Sequence, residues 1–568
     1  MIKEWVAARP VDTDESQRLA TALNCPEIFA RMLLRRGLND ARAIKDFLEP
    51  AWDHLHDPFL MKDMHIAVET LFDSIESGEK ILVYGDYDVD GTSAVALVVS
   101  YLREIGVHCD YYIPDRYKEG YGFSDAGLVY AEENNISLII TLDCGIKDAA
   151  RIDRAKDKGI KVIVCDHHTP GEELPRADAV LNPKRKDCSY PYKELCGCAV
   201  GFKLMSGLNH KLGRDPRDME KFLDLVALAT GADIVDMTGE NRVMAALGLA
   251  VLNRQKRAGI AALLHHARFR NEVLDITNVV FIIAPRINAA GRIFSGREAV
   301  NLMLETDPHR AQEIAASIEK FNAERKEFEA EITAEAKSQY LNNLPNFPHG
   351  IVVHAAHWHK GVVGIVASKM VESFGKPSVV LTSNNGELHG SGRSTPDMDL
   401  YGVLENCKEH ILQFGGHKMA AGLSMLESNL NNFRQAFNDH VLRKRGAEPP
   451  AFKVGFEEEL TANDIHLELF NLIKKLEPFG PGNDKPYFLM RGVHDSGESR
   501  AVGEDGSHLK VSIDAGPRNL AGIGFGMADK LPLLQTAKGA DVIVSLALNT
   551  WKNRSSVEVT VREIRKSD

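Results

Sequence analysis

The segment VYGDYDVDG places Asp86, Asp88 and Asp90 at alternate positions directly after an apolar run. Three carboxylates so close together repel one another in a compact fold unless a cation sits between them. Two further apolar runs end in groups of the same kind: TLDCG ends in Asp143, and IVCDHH ends in Asp166, His167 and His168. Asp233, in ATGADIVD, ends an apolar helical stretch. Carboxylate oxygens and imidazole nitrogens without a thiolate pattern suit Mn2+ or Mg2+ rather than a soft metal. So many acids exceed the need of a single ion. Two ions about 3.5–4 Å apart, bridged by one carboxylate, would balance them and make a centre for phosphoester hydrolysis. Any one of these motifs alone reads as an acidic surface loop, but three on successive strand ends point to one site.

The elements that must position these groups follow a strand–loop–helix rhythm from residue 80. KILVYGD is a short apolar run, and GTSAVALVVSYLREIG is a helix expected to be capped by Thr92 or Ser93, with Leu97, Val98, Tyr101, Leu102 and Ile105 on its apolar face. VHCDYYIP, a helix from about Ser124, ISLIITLDCG, a helix near KDAARIDRAKDKG, and IKVIVCDHH continue the alternation. Such alternation predicts an α/β fold with a parallel sheet covered by helices, whose functional groups gather beyond the carboxyl ends of the strands.

Around this unit the chain divides into an N-terminal helical cap (1–75), the catalytic domain (76–305), a connecting helix (306–341), a second α/β domain (342–447) and a C-terminal strand-rich domain (448–568). The connecting helix starts at Asp307-Pro308 and runs Ile314, Ile318, Phe321, Arg325, Phe328 and Ile332 along one face; it reads as a strut between two domains. The GAEPPAF stretch is a linker, and the short strands after it suit an OB-like β-barrel. Phe479, Tyr487, Phe488, Phe525 and Trp551 are its available aromatics, none of them singled out as a binding residue.

The 568 residues carry 44% hydrophobic and 26% charged side chains, ordinary for a globular protein, and a net charge of −12 that argues against indiscriminate binding to polyanions. No apolar run has membrane-spanning length and the N-terminus has no signal-peptide core, so a cytoplasmic protein without membrane contact is expected. Cys25, Cys109, Cys144, Cys165, Cys188, Cys196, Cys198 and Cys407 are too sparse for a disulfide scaffold, and the trio Cys188, Cys196 and Cys198 lacks zinc-knuckle spacing.

DYDVDG, LDCG, DHH and GADIVD, in this order and spacing, resemble the DHH phosphoesterase family, and HWHKGVVGIVASK, GSGRS and FGGHKMAAG resemble its associated DHHA1 domain. With APRINAAGR and the terminal barrel, the layout is similar to the bacterial branch of that family specific for single-stranded DNA and working 5′→3′; the resemblance runs from about residue 75 to the end. It implies that Asp88 and Asp143 hold one ion while Asp90, Asp143, His167 and Asp233 hold the other, with Asp143 bridging and His168 facing the scissile phosphate. Asp166 is better placed to orient a histidine than to bind metal. Some family members carry a histidine where this chain has Tyr84, which leaves Asp86 to supply that ligand.

Direction along a strand requires a pocket for the terminal 5′ group, and the candidates are Arg116, Arg286, Arg292, Ser391 and Arg393. The resemblance favours Arg116, Ser391 and Arg393 as a 5′-phosphate clamp and Arg292 as a strand contact; glycines beside Arg393 and His417 would admit a phosphate closely. The expected activity is therefore metal-dependent exonucleolytic hydrolysis of single-stranded DNA from a free 5′ end, by a monomer using two Mn2+ or Mg2+ ions. The resemblance also implies work in recombination and repair, with a helicase and single-strand-binding protein as partners. The alternatives are a DHH enzyme acting on cyclic dinucleotides or short RNA, which usually lacks the strut and barrel, and a catalytically inactive replication scaffold, which would lack metal ligands.

Overall fold

The computed structural model describes residues 3–270, 273–384, 386–446, 452–514, 519–551 and 554–567. The chain divides into two compact units: Pro58–Asp233 and Gly248–Phe452 with Met1–Lys3 form one, and Glu4–Asp57, Ile234–Leu247 and Lys453–Asp568 form the other.

In the first unit, β1 (Ile81–Gly85), β2 (Cys109–Tyr112), β3 (Leu138–Leu142), β4 (Lys161–Cys165) and β5 (Ala179–Leu181) form a parallel sheet in the order β2-β1-β3-β4-β5. β1 and β3 are buried along their whole length, as central parallel strands covered on both faces must be. The order reverses between β1 and β3, and a sheet of this type opens a crevice at that point. Asp86 and Asp143 follow these two strands directly.

Helix α1 (Val89–Glu104) begins earlier than its sequence suggests. Its cap is Asp88, not Thr92 or Ser93: the Asp88 carboxylate accepts the backbone N–H of Asp90 at 2.9 Å and of Gly91 at 3.1 Å. A carboxylate four and five residues ahead of these hydroxyls reaches the free N–H groups first, which takes Thr92 and Ser93 inside the helix. Helices α2 (Gly197–Lys211), α3 (Leu223–Ala232) and α4 (Ala284–Ile293) complete the frame of the site.

The connecting helix is α5 (Pro308–Asn343), capped by Asp307. Its buried stripe holds Ala311, Ala315, Ile318, Ile332, Ala336 and Tyr340, but also Asn322, Glu329 and Thr333. It leads into a five-stranded sheet of β6 (Ile351–His354), β7 (Ser378–Asn384), β8 (Glu387–Arg393), β9 (Gln413–Gly416) and β10 (Ala420–Leu426), in the order β9-β10-β8-β7-β6. Only β6 and β7 pair in parallel, around helix α6 (Val363–Phe374) as their crossover.

The second unit is built on a seven-stranded sheet whose strands Phe488–Asp495 and His508–Asp514 also pair with each other, closing it into a barrel. The barrel core of Met490, Leu509, Val511 and Val544 includes Phe488, fully buried, and also Phe29, Met32, Leu33 and Ile44 from the N-terminal helices. Arg31 reinforces this pairing through Glu458, at 2.8 and 3.2 Å. The chain enters as a strand, Lys3–Ala7, where helix was expected; five residues ahead of Pro10 are too few for a helix, and they pair instead with Phe452–Phe456. Phe479 and Tyr487 are partly buried and Phe525 is exposed. Residues 447–451 of the expected linker, and the Trp551 side chain, lie outside the described residues.

All eight cysteines are free thiols. Among the described residues no helix is long and apolar enough to cross a membrane.

Candidate metal centre and guanidinium cluster

Asp86, Asp90, Asp143, Asp166, His167 and His168 are held at the carboxyl ends of β1, β3 and β4, and Asp233 closes the set from the end of α3. Three groups of ligand atoms lie within 4.8 Å of one another: Asp86, Asp88 and Asp143; Asp90, His167 and Asp233; and Asp143, His167 and His168. His167 Nε2 is 3.1 Å from Asp143 Oδ1, 3.5 Å from Asp233 Oδ2 and 3.7 Å from Asp90 Oδ2.

Asp90 is steadied from a distant part of the chain. Its two carboxylate oxygens accept the first N–H groups of α2, from Gly197 at 2.6 Å and Cys198 at 2.7 Å. Asp143 sits in left-handed backbone, at φ 60°, a strained conformation for a residue with a side chain and one that concentrates at functional sites. Gly197 makes that corner possible: a Cβ there would lie 2.6 Å from Asp143 Cβ. Gly91 does the same for the acidic loop, where a Cβ would meet the Asp86 backbone at 2.5 Å.

Without a cation the site is electrostatically unfavourable. Burial, and then the charge of Asp88, raises the Asp86 carboxyl well above the usual range. Burial and the charges of Asp90, Asp88 and Asp233 do the same to Asp143. Asp90 is pushed up to about 7 by burial and Asp88, even against its two N–H donors. Asp233 rises to about 9 through burial and the charges of Asp90 and Asp88, and it stands at a helix C-terminus, where a carboxylate opposes the dipole. Burial and the charge of His168 hold His167 neutral, at about 3. Asp86 Oδ1, Asp143 Oδ1 and His167 Nε2 are buried without a hydrogen-bond partner. Oxygen-rich, anionic and carrying orphaned ligand atoms, the set fits hard divalent cations.

Asp166 is differently engaged. Its Oδ1 accepts the N–H groups of His167 at 2.7 Å and His168 at 3.0 Å and faces His168 Nδ1 at 2.8 Å; its Oδ2 accepts Ile146 N–H at 2.9 Å. Burial pushes its carboxyl upward, but the hydrogen bond and charge of His168 and the N–H donors outweigh burial and leave it at about 2. Burial works against charge on His168, and Asp166 reverses it, so the imidazole stays above its ordinary value.

A second group is cationic. Arg393 Nη1 donates to Ser391 Oγ at 2.6 Å and to Gly392 O at 2.8 Å. A Cβ on Gly364, in the first turn of α6, would lie 3.2 Å from Arg393 Nη2 and 3.3 Å from Ser391 Oγ, so a glycine brings the helix start against both. Arg292 donates to Gly361 O at 3.2 Å, and burial, Arg116, Arg393 and Arg325 together lower it to about 10. Arg116 lies over the Tyr87 ring, 4.6 Å from its centroid. Guanidiniums that depress one another in this way create a strong preference for an anion.

Residues 80–230 match the DHH family, N-terminal domain; residues 349–442 match the DHHA1 domain, and residues 456–563 the RecJ OB domain. The single-stranded-DNA-specific exonuclease RecJ of Bacillus subtilis is 34% identical over 99% of this chain and 71% of its own length. The chain belongs to the RecJ family. The crystal structure of RecJ from Thermus thermophilus in complex with Mn2+ has a TM-score of 0.84 to this chain at 27% identity, covering 100% of it and 80% of that protein. RecJ from the same organism in complex with Mg2+ gives 0.79 at 26% identity, covering 100% and 79%.

Within this RecJ-family chain the sequence candidates separate. Arg116, Arg292, Ser391 and Arg393 gather in the cationic group. Arg286 does not join them: its guanidinium grips Glu319 of α5 at 2.5 and 3.3 Å and donates to Ile282 O at 2.7 Å, leaving its fork committed. His417 is exposed between β9 and β10, and its charge state feels Lys147 and His168 after burial. Tyr84 is a core residue; its hydroxyl donates to Gly122 O at 2.9 Å and accepts Ser124 N–H at 3.1 Å. Sequence reasoning missed Gly197, Cys198, Arg325 and Tyr121. The glycine opening an apolar helical run in LCGCAVGF and the tyrosine between two glycines in KEGYGFS were the available signals.

Proposed function

We propose that this protein is a metal-dependent exonuclease that hydrolyses single-stranded DNA from a free 5′ end and releases 5′-nucleotides. One observation carries the reading: a converging carboxylate–imidazole set with orphaned buried ligand atoms shares a unit with a guanidinium group suited to a phosphate. The names and full-length similarity of its relatives support the same substrate and polarity.

In this reading Asp86, Asp88 and Asp143 would hold one Mn2+ or Mg2+ ion, and Asp90, Asp143, His167 and Asp233 would hold the second. When bound, the ions would acidify water and offset charge on the phosphate. Asp166 keeps a proton on His168 Nδ1 and turns the imidazole toward the scissile phosphate, where a charged ring stabilises the developing oxyanion. Arg116, Ser391 and Arg393 take the terminal phosphate, and Arg292 and His417 the strand beside it. Arg286 braces α4 on α5 through Glu319.

The domain boundaries that go with this reading are those of the sequence: 1–75, a DHH domain over 76–305, 306–341, a DHHA1 domain over 342–447, and an OB-like single-strand-binding domain over 448–568. The cellular setting rests on resemblance: a cytoplasmic monomer in recombination and repair, supplied with ends by a helicase and single-strand-binding protein. A complete ligand set speaks against an inactive scaffold.

Digestion of 5′- and 3′-labelled single strands and of duplex DNA with Mn2+ or Mg2+ tests the proposal. Mononucleotide should leave the 5′-labelled single strand first. Initial release from the 3′ end, or preferred cleavage of a cyclic dinucleotide, would overturn it.

A further inference from the structure

The loop from Pro114 to Phe123 reaches the metal centre through a side chain that the reading above does not use. The Tyr121 hydroxyl donates to the backbone carbonyl of Asp143 at 2.9 Å. The same oxygen packs against the His168 imidazole, 3.0 Å from Nδ1 and 3.4 Å from Nε2, and the two rings meet edge to face at 5.5 Å. With its proton committed to the Asp143 carbonyl, the hydroxyl is held in place against the ring. His168 Nδ1 thus faces Asp166 Oδ1 at 2.8 Å while the Tyr121 oxygen packs against the same ring.

The loop is shaped for this contact. Gly120 and Gly122, on either side of Tyr121, both adopt left-handed backbone, at φ 83° and 95°. A Cβ on Gly122 would lie 2.5 Å from Asp148 Oδ2, the atom that accepts Phe123 N–H at 2.8 Å. Tyr84 pins the Gly122 carbonyl from below. Upstream, Glu119 accepts Asp115 N–H at 2.7 Å and Ser124 O–H at 2.5 Å, and Asp115 accepts Tyr117 N–H at 2.9 Å. Arg116 thus belongs to the same braced segment as Tyr121. The Tyr121 ring remains about half exposed, at 48%, so the constraint lies on its hydroxyl rather than on core packing.

We propose that Tyr121 is a positioning residue that acts through His168: its hydroxyl fixes the imidazole against Asp166 and ties it to the backbone corner of Asp143. The inference rests on the nuclease reading. Losing the hydroxyl lets the imidazole swing, which lowers turnover while leaving the strand contacts intact.

The test is Tyr121→Phe, which keeps the ring, assayed on a 5′-phosphorylated single-stranded oligonucleotide with Mn2+, in a double-mutant cycle with His168→Ala. Removing an orienting partner of this kind costs about 10–100-fold in activity. The loss should fall on kcat, with KM within about twofold, since the residue makes no uniform contribution to binding. In the His168→Ala background the same substitution should cost less than about threefold, because the group it orients is gone. An unchanged kcat, a loss carried by KM, or an equal loss in both backgrounds would overturn the proposal. Wild-type protein run alongside separates the two readings: if it releases no 5′-nucleotide, the nuclease assignment itself fails and this inference falls with it.

Discussion

Replacing Asp143 by Asn should make the cation-free protein more stable at alkaline pH while abolishing its activity. The ligand atoms of Asp143, Asp86 and Asp88 lie within 4.8 Å of one another, which at an effective dielectric of about 20 corresponds to roughly 3 kcal/mol for each pair of like charges. Carboxyls held above their ordinary range favour the fold in their neutral form at low pH. That contribution is lost as pH rises through the elevated values, about 7 for Asp90 and about 9 for Asp233. At pH 5 Asp90 and Asp233 are largely neutral and Asp143→Asn should change stability little. At pH 8 the fold must hold the Asp143 carboxyl either protonated above its ordinary range or charged among its neighbours, and the substitution removes that cost, a gain of up to about 3 kcal/mol. Urea denaturation of chelator-treated protein at the two pH values measures this, and Mn2+ added back should raise the wild-type midpoint more than that of the variant. Turnover should fall by at least about 1,000-fold, the scale expected for loss of a main electrostatic group. Equal or lower stability of the variant at pH 8, or retained turnover, would refute the claim that the acids are mutually repulsive and share cations through Asp143.

Two further outcomes follow from the same geometry. Arg393→Ala should weaken binding of a 5′-phosphorylated oligonucleotide by about 10–100-fold, the worth of a charge-assisted hydrogen bond, and of a 5′-hydroxyl oligonucleotide far less; a binding titration with both ends checks this. Gly197→Ala brings a Cβ to 2.6 Å from Asp143 Cβ and should cost about 1–3 kcal/mol of stability in denaturant titrations, together with weaker Mn2+ binding by calorimetry.

How much of this was legible in the sequence follows from range. Asp86, Asp143 and the DHH triplet could be read because each directly follows an apolar strand, and alternation of strand and helix carries those ends to one edge. The helix start was misread because Thr92 and Ser93 are ordinary caps, whereas Asp88 serves as a cap and stands among candidate ligands at once. Gly197 and Cys198 were not legible because their contribution is two backbone N–H groups aimed at a carboxylate more than a hundred positions earlier. Arg286 and Arg292 look alike in APRINAAGR; only the packing of α4 on α5 gives one to Glu319 and frees the other for the cationic group. Tyr121 was hidden because nothing in a tyrosine between glycines says which backbone carbonyl it will meet.

The shared core of the barrel and the N-terminal helices has a consequence for biosynthesis. Phe29, Met32, Leu33 and Ile44 are made first, yet their partners Leu509, Val511, Val544 and Val559 emerge several hundred residues later. At roughly 5–20 residues per second of translation, those greasy helix faces wait for tens of seconds before burial. Over that interval Phe29, Met32, Leu33 and Ile44 have no barrel surface to bury against, and a product cut short after the DHHA1 region would keep them unpacked.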